Sequence, residues 1–226
     1  MVLKSFAKIN LSLSIIGKFK KGLHKIQSIY CLVDLYDTIT ISKVKNKKKD
    51  QISIIGPYAR NVKKNDNSVI NSLKLLRTYG IIKNFYLIKI NKRIPVFAGL
   101  GGGTSNAASV IKFFIKKKIK PNVLDDFTSK LGSDLRLFFH NQGFLKRLDR
   151  VVSLKKKHKL LFLVIFPNLK ISTKVIYSKV TRYSKIMDLN KKRVENKNKF
   201  IKYLNSLNNN LQSIVEKKHP IIQKLL

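Results

Sequence analysis

Three consecutive glycines, Gly101 to Gly103, separate Pro95 from an apolar face at helical spacing in the run IPVFAGLGGGTSNAASVIKFF. The face is Ala107, Ala108, Val110, Ile111 and Phe114. A chain that enters a helix this way exposes backbone N–H groups with no Cβ atoms in front of them. The helix dipole there favours negative charge. The stretch Pro95, Val96, Phe97, Ala98, Gly99, Leu100, Gly101, Gly102, Gly103, Thr104 and Ser105 is therefore the candidate phosphate-holding loop. It is not a Walker A loop, because no Lys-Ser or Lys-Thr pair follows the last glycine. Nor is it a dinucleotide fingerprint, since the preceding NKRIPVFA contains Pro95 and does not read as a first Rossmann strand.

The elements around this junction are of both kinds. AKINLSLSII alternates apolar and polar residues, predicting a strand that Gly17 ends. Further strands are predicted at Ile29 to Leu35, Thr38 to Val44, Gln51 to Ile55 and Phe85 to Ile90, with KNKKKD at Lys45 to Asp50 as a hairpin loop. A helix follows Asp66 and Asn67, which can cap it, and closes at Gly80. Pro121 breaks the chain before a short helix at Val123 to Leu131. LRLFF at Leu135 and LLFLVIF at Leu160 read as strands, helical patterns follow Ser172, and Lys185 to Lys199 reads as a loop or a surface helix edge. Strands cluster early rather than alternating strictly with helices, which predicts α+β.

Composition narrows the function classes. The single cysteine, Cys31, lies in the apolar IYCLVDL and reads as a buried small hydrophobe, so an intrachain disulfide and a multi-thiolate metal site are excluded. A net charge of +37 attracts polyanions, yet 40 of the 48 basic residues are Lys and they are scattered along the chain. Neither Arg forks nor aromatics paired with basic stripes appear, so no specific nucleic-acid partner is expected. No apolar run is long enough to span a bilayer and no secretory leader is apparent. The expected setting is the cytoplasm, with no membrane partner.

A phosphate loop needs a group to activate the acceptor, and only 11 acidic residues are present. Asp134, in LGSDLRLFF, follows a Gly-Ser turn and precedes an apolar stretch, so it is the candidate base, though such an Asp also forms turns. Lys8, opening the first alternating strand, and His24, in GLHKIQS, are candidates whose local sequence better fits a solvated Lys and a turn cap.

Together these segments resemble the GHMP kinase superfamily, the galactose, homoserine, mevalonate and phosphomevalonate kinases. FAKIN at Phe6 to Asn10, GLHKIQS at Gly22 to Ser28, the Pro95 to Ser105 loop with Asn-Ala-Ala after it, and LGSD at Leu131 to Asp134 carry the resemblance. Within the superfamily they are similar, in order, to the family that phosphorylates the 2-hydroxyl of diphosphocytidyl-methylerythritol on the non-mevalonate isoprenoid route. The resemblance implies a two-domain α+β fold with an N-terminal domain like the second domain of ribosomal protein S5. That domain would span residues 1–150 and a C-terminal one 151–226. It implies ATP as cofactor, with Mg²⁺ accompanying it, and a small-molecule acceptor as partner. Asp134 would be the general base and Lys8 would orient it. Asn67 would lie near the adenine, and Asn10, His24 and Tyr177 would hold the acceptor, with His24 on the cytosine.

Departures from that family pattern are visible. Leu23 stands where an aromatic commonly precedes the His, Phe6 replaces a frequent proline, and FLKRLDR after Gly143 lacks a Gly-x-Gly-Glu turn. The sequence reaches Leu226 before the third Gly-rich motif, so the expectation is a C-terminally shortened kinase with an incomplete second domain. The alternative is a catalytically impaired relative that acts as a basic polyanion-binding protein.

Overall fold

β-branched and aromatic residues run from IQSIY to TITISKV without a Gly or Pro, and they form one strand, β3 (His24–Val44), where the sequence predicts two. The computed structural model describes residues 2–20, 22–45, 47–64, 66–154, 156–169, 171–189 and 191–225. The chain divides into two compact units, Met1–Lys8 with Leu32–Phe139, and Ile9–Cys31 with His140–Leu226. Each is assembled from two stretches, and β3 gives residues to both.

In the first unit β4 (Gln51–Ile55) runs parallel to β5 (Phe85–Asn91). β5 in turn runs antiparallel to the second half of β3, from Thr38↔Asn91 to Val44↔Phe85. Because β5 lies between β3 and β4, Lys45 to Asp50 is not the hairpin loop expected. The parallel pair needs a crossover, which carries α1 (Ser68–Thr78). Asn67 caps α1 as expected, accepting from the Val69 and Ile70 N–H groups at 3.1 Å each. Gly80, at φ 67°, closes it in the left-handed conformation.

α2 (Gly102–Phe114) starts inside the glycine run. α3 (Pro121–Leu131) starts at the proline expected to break the chain, because a first-turn proline lacks only an N–H that has no helical partner. LRLFF, expected as a strand, is a 3-10 helix, Ser133–Phe139. Its Leu135 and Phe138, three residues apart and so on one side, both enter the core. That core joins them to Ile39, Ile88 and Ile90 of the strands and to the inner faces of the three helices.

In the second unit the AKINLSLSII pattern is interrupted. β1 (Val2–Asn10) ends and β2 (Ser14–Lys18) begins after Leu11 and Ser12 have both turned their N–H groups to the Ile29 carbonyl. Gly17 does not end β2, because a bulge there carries the pairing with β3 on to Lys18↔His24. The first half of β3 also pairs with β6 (Gln142–Arg147), which turns back as β7 (Arg150–Ser153), a hairpin the sequence reading missed. LLFLVIF, expected as a strand, is not one, and its Leu161 and Leu163 are 90% and 88% exposed. Strand propensity without a partner strand does not make a strand.

The rest of the unit alternates irregular stretches with short helices. Among them are α4 (Thr173–Ser178), α5 (Lys197–Asn205), α6 (Gln212–Lys218) and α7 (Pro220–Leu225). Ile29, Phe144, Leu154, Met187, Phe200 and Tyr203 form its core. Met187 lies in the segment expected as loop or helix edge, and its N–H donates to Gln27 Oε1 at 2.6 Å. No helix among the described residues is long and apolar enough to cross a membrane.

Candidate active site

The glycine-rich segment takes left-handed backbone at alternate residues, Phe97 (φ 64°), Gly99 (φ 73°) and Gly101 (φ 68°). Such a path turns successive N–H groups toward one side, the basis of an anion-binding nest, and here it runs straight into the N-terminus of α2. Glycine is required by space as well. A Cβ at Gly101 would lie 2.7 Å from the Phe138 ring, and one at Gly102 would lie 2.8 Å from Lys92 Nζ.

Hydroxyl and amide donors pin the loop from several sides. Lys8 N–H donates to the Leu100 carbonyl at 3.0 Å, and Ser68 Oγ to the Gly103 carbonyl at 2.6 Å. Ser105 Oγ donates to the Phe6 carbonyl at 2.6 Å and accepts from Ser5 Oγ at 2.8 Å. In front of the loop is a cavity of about 450 Å³, lined by residues from Pro95 to Thr104 together with Lys63, Asp66, Asn67, Lys92 and Asn106. Asn67 reaches this wall with its amide engaged, since besides capping α1 it donates to the Lys63 and Lys64 carbonyls.

Beside the loop, Lys8 Nζ of β1 meets Asp134 Oδ2 at 2.9 Å. The Lys8 side chain is buried, while Asp134 keeps 29% of its side chain exposed and so remains accessible to a ligand. Two contacts hold the segment bearing Asp134 against the loop. Gly132 leaves room for Thr104, whose Oγ1 would stand 3.3 Å from a Cβ there, and Phe138 sits under Gly101. Lys112 of α2 donates to the Phe138 carbonyl at 2.7 Å and fixes the far end of the same 3-10 helix. A carboxylate with a buried ammonium partner, next to backbone donors arranged for an anion, can take a proton from an alcohol while phosphate oxygens are held.

The remaining predicted residues lie in the second unit. His24 and Tyr177 of α4 approach ring to ring, with centroids 5.3 Å apart and planes tilted by 35°. Burial first, and the nearby Lys18 second, lower the His24 pKa below its ordinary 6.5. Leu23 beside it is 62% exposed. Asn10 ends β1, and its Oδ1 accepts from Ser28 Oγ at 3.2 Å.

Sequence reasoning missed Asp37, Lys92, Ser68 and Asn106. Lys92 is hidden among 40 lysines and Ser68 carries no signal of its own, while Asn106 enters only as part of the Asn-Ala-Ala after the loop and is given no role. Asp37 did carry one. It shares the inward phase of Ile39 and Ile41 on a strand, where a carboxylate needs a reason to be.

Comparison with known proteins sets this geometry in a class. The GHMP kinases N terminal domain matches residues 67–131, the stretch from the cap of α1 through the glycine loop to the end of α3. A crystal structure of 4-(cytidine 5'-diphospho)-2C-methyl-D-erythritol kinase superposes over 100% of this chain and 81% of its own, with a TM-score of 0.69 at 23% identity. Homoserine kinase from Cytophaga hutchinsonii does so over 82% and 61%, with a TM-score of 0.56 at 17% identity. The fold is thus that of the GHMP kinases.

Sequence goes further. The 4-diphosphocytidyl-2-C-methyl-D-erythritol kinase of Pelagibacter ubique (strain HTCC1062) is 38% identical over 230 residues, which cover 99% of this chain and 79% of that protein. The kinase of the same name from Ureaplasma parvum is 35% identical over 190 residues, covering 79% of this chain and 69% of that protein. The chain belongs to the 4-diphosphocytidyl-2-C-methyl-D-erythritol kinase family.

Proposed function

We propose that the chain transfers the γ-phosphoryl group of ATP to the 2-hydroxyl of 4-diphosphocytidyl-2-C-methyl-D-erythritol, a step in isoprenoid precursor synthesis. The observation that carries the reading is the Lys8–Asp134 pair beside the glycine loop. Asp134 takes the proton of the acceptor hydroxyl, the freed oxygen attacks the γ-phosphorus, and ADP leaves with its β-phosphate held by loop N–H groups. Lys8 orients the carboxylate. His24 and Tyr177 offer the faces and edges that a cytosine needs, and Asn10 a further amide for the acceptor.

Among the described residues no group of three or more His, Cys, Asp or Glu side chains could hold a metal ion by itself. That suits Mg²⁺ carried in on a nucleotide, which keeps several waters and takes one or two carboxylates besides phosphate oxygens. Asp134 beside the loop and Asp66 in the cavity lining are carboxylates that could serve it. The ion would supply charge neutralisation between the β- and γ-phosphates. We place the enzyme in the cytoplasm.

The reading as an impaired, polyanion-binding relative is not favoured. A coupled ATP-consumption assay tests the substrate, with mevalonate and homoserine as comparators. Turnover with the cytidyl compound is expected, and turnover with a comparator alone refutes the assignment.

A further inference from the structure

The ladder between β3 and β5 ends at Thr38↔Asn91. One residue beyond, a side chain takes the place of backbone pairing. Asp37 Oδ1 accepts from the Arg93 and Ile94 N–H groups at 2.7 and 2.8 Å, and Oδ2 accepts from Lys92 Nζ at 2.5 Å. Donors from three successive residues thus converge on one carboxylate just before Pro95, where the phosphate loop begins. On the other side Lys92 N–H donates to the Ile55 carbonyl at 2.7 Å. Asp37 is wholly buried and Lys92 is 3% exposed. Lys92 Nζ ends under the first turn of α2, 2.8 Å from where a Cβ on Gly102 would be, and the residue lines the loop's cavity.

This is a poor way merely to hold a fold together. A buried ion pair seldom stabilises more than apolar residues of the same volume, and a cation beside a helix N-terminus opposes the dipole. Burial lowers the Lys92 pKa, and the Asp37 carboxylate opposes that shift. The arrangement becomes favourable once an anion enters the cavity. A second sign of a polar occupant is Asn106 Oδ1, which has no hydrogen-bond partner although the residue is 3% exposed and lines the same cavity; as an acceptor it calls for a donor on the occupant, which the amine and hydroxyls of a nucleotide supply and its phosphate oxygens do not.

We infer that Asp37 and Lys92 are a positioning pair for the nucleotide's phosphates. The carboxylate turns the chain out of β5 into the loop, and the ammonium it holds fixes a positive charge beneath the helix turn that receives them. The inference rests on the nucleotide reading of this cavity.

The test is calorimetric titration of ATP and of adenosine into the wild type, Lys92→Met, Asp37→Asn and the double variant D37N/K92M. Binding of ATP to the wild type checks the nucleotide reading by itself, and its absence overturns that reading and this inference together. The double variant keeps the shape of both side chains and an oxygen for the Arg93 and Ile94 N–H groups. It is expected to unfold near the wild-type temperature and to bind adenosine as before, with ATP weakened about tenfold or more, the scale of a lost charge-assisted contact. In turnover, KM for ATP rises while KM for the acceptor stays. The inference is overturned if a folded double variant binds ATP as the wild type does, or if ATP and adenosine weaken alike. It is equally overturned if no neutral pair folds, because the pair then serves the fold alone.

Discussion

Around the glycine-rich loop several polar side chains are held by another group at hydrogen-bond distance: Lys8 by Asp134, Ser105 by Ser5 and the Phe6 carbonyl, Lys92 by Asp37. His24 and Tyr177 meet instead as two tilted rings 5.3 Å apart beside an exposed Leu23. Hydrogen bonds of 2.5 to 2.9 Å fix atoms. A ring contact fixes little more than a plane. Under the proposed function the two regions would serve two tasks, since in-line phosphoryl transfer requires placed atoms, whereas holding a flat base requires a face that can slide. Substitutions at Lys8 and Asp134 should therefore lower turnover and those at Asp37 and Lys92 raise KM for ATP, whereas those in the second region should raise KM for the acceptor.

The largest expected effect is that of Asp134→Asn, which keeps the shape of the side chain and removes the base. kcat should fall about a thousandfold, within the range of general-base catalysis, with ATP affinity retained in a binding titration. A kcat within tenfold of wild type would remove Asp134 from the chemistry. Gly101→Ala should come next. It places a Cβ on left-handed backbone and against the Phe138 ring, a strain of about 1–3 kcal/mol, so kcat/KM for ATP should drop about ten- to hundredfold.

Tyr177→Ala should raise KM for the cytidyl substrate about tenfold while kcat holds, the scale of one base–aromatic stacking contact, and Tyr177→Phe should stay near wild type. A fall in kcat for the Ala variant would erase the contrast between the regions.

The smallest effect concerns pH. With its pKa held below 6.5 by burial and by Lys18, His24 is neutral at pH 7, so KM for the acceptor should be flat from neutral to alkaline pH. It should rise as acidification protonates the ring, and His24→Gln should abolish that rise. The stability linkage has the same sign. The unfolded chain takes up the proton first as pH falls through 6.5, so the His24 contribution to stability shrinks on the acid side.

Much of the first unit was legible because its signals are local. Asn67 and Gly80 bracket α1, the glycine run opens α2, and Gly132 precedes the turn that carries Asp134. Cys31, read as a buried hydrophobe, is 4% exposed, and burial pushes its thiol pKa up to about 11. What failed depended on partners distant in the sequence. Leu135 to Phe139 has strand composition but is drawn into a 3-10 helix by a core that only folding assembles. Lys45 to Asp50 resembles a hairpin loop because nothing local reveals that β5 will come between β3 and β4. In the site, Lys8 was separable from the other lysines only by resemblance, and Lys92 was not separable at all. Its meaning comes from Asp37, 55 positions earlier.

The run from Leu160 to Phe166 has a practical consequence for anyone handling the protein. Seven apolar residues with two leucines almost fully in solvent form the kind of segment that seeds intermolecular β-stacking. Lys156, Lys157 and Lys159 precede it and Pro167 follows, the charged and ring-locked gatekeepers that keep such segments apart. Their protection is largely electrostatic repulsion between copies, and salt screens it over about 8 Å at 0.15 M ionic strength. Concentrated stocks should therefore keep best at low ionic strength, the reverse of the high-salt buffers usually chosen for so basic a chain.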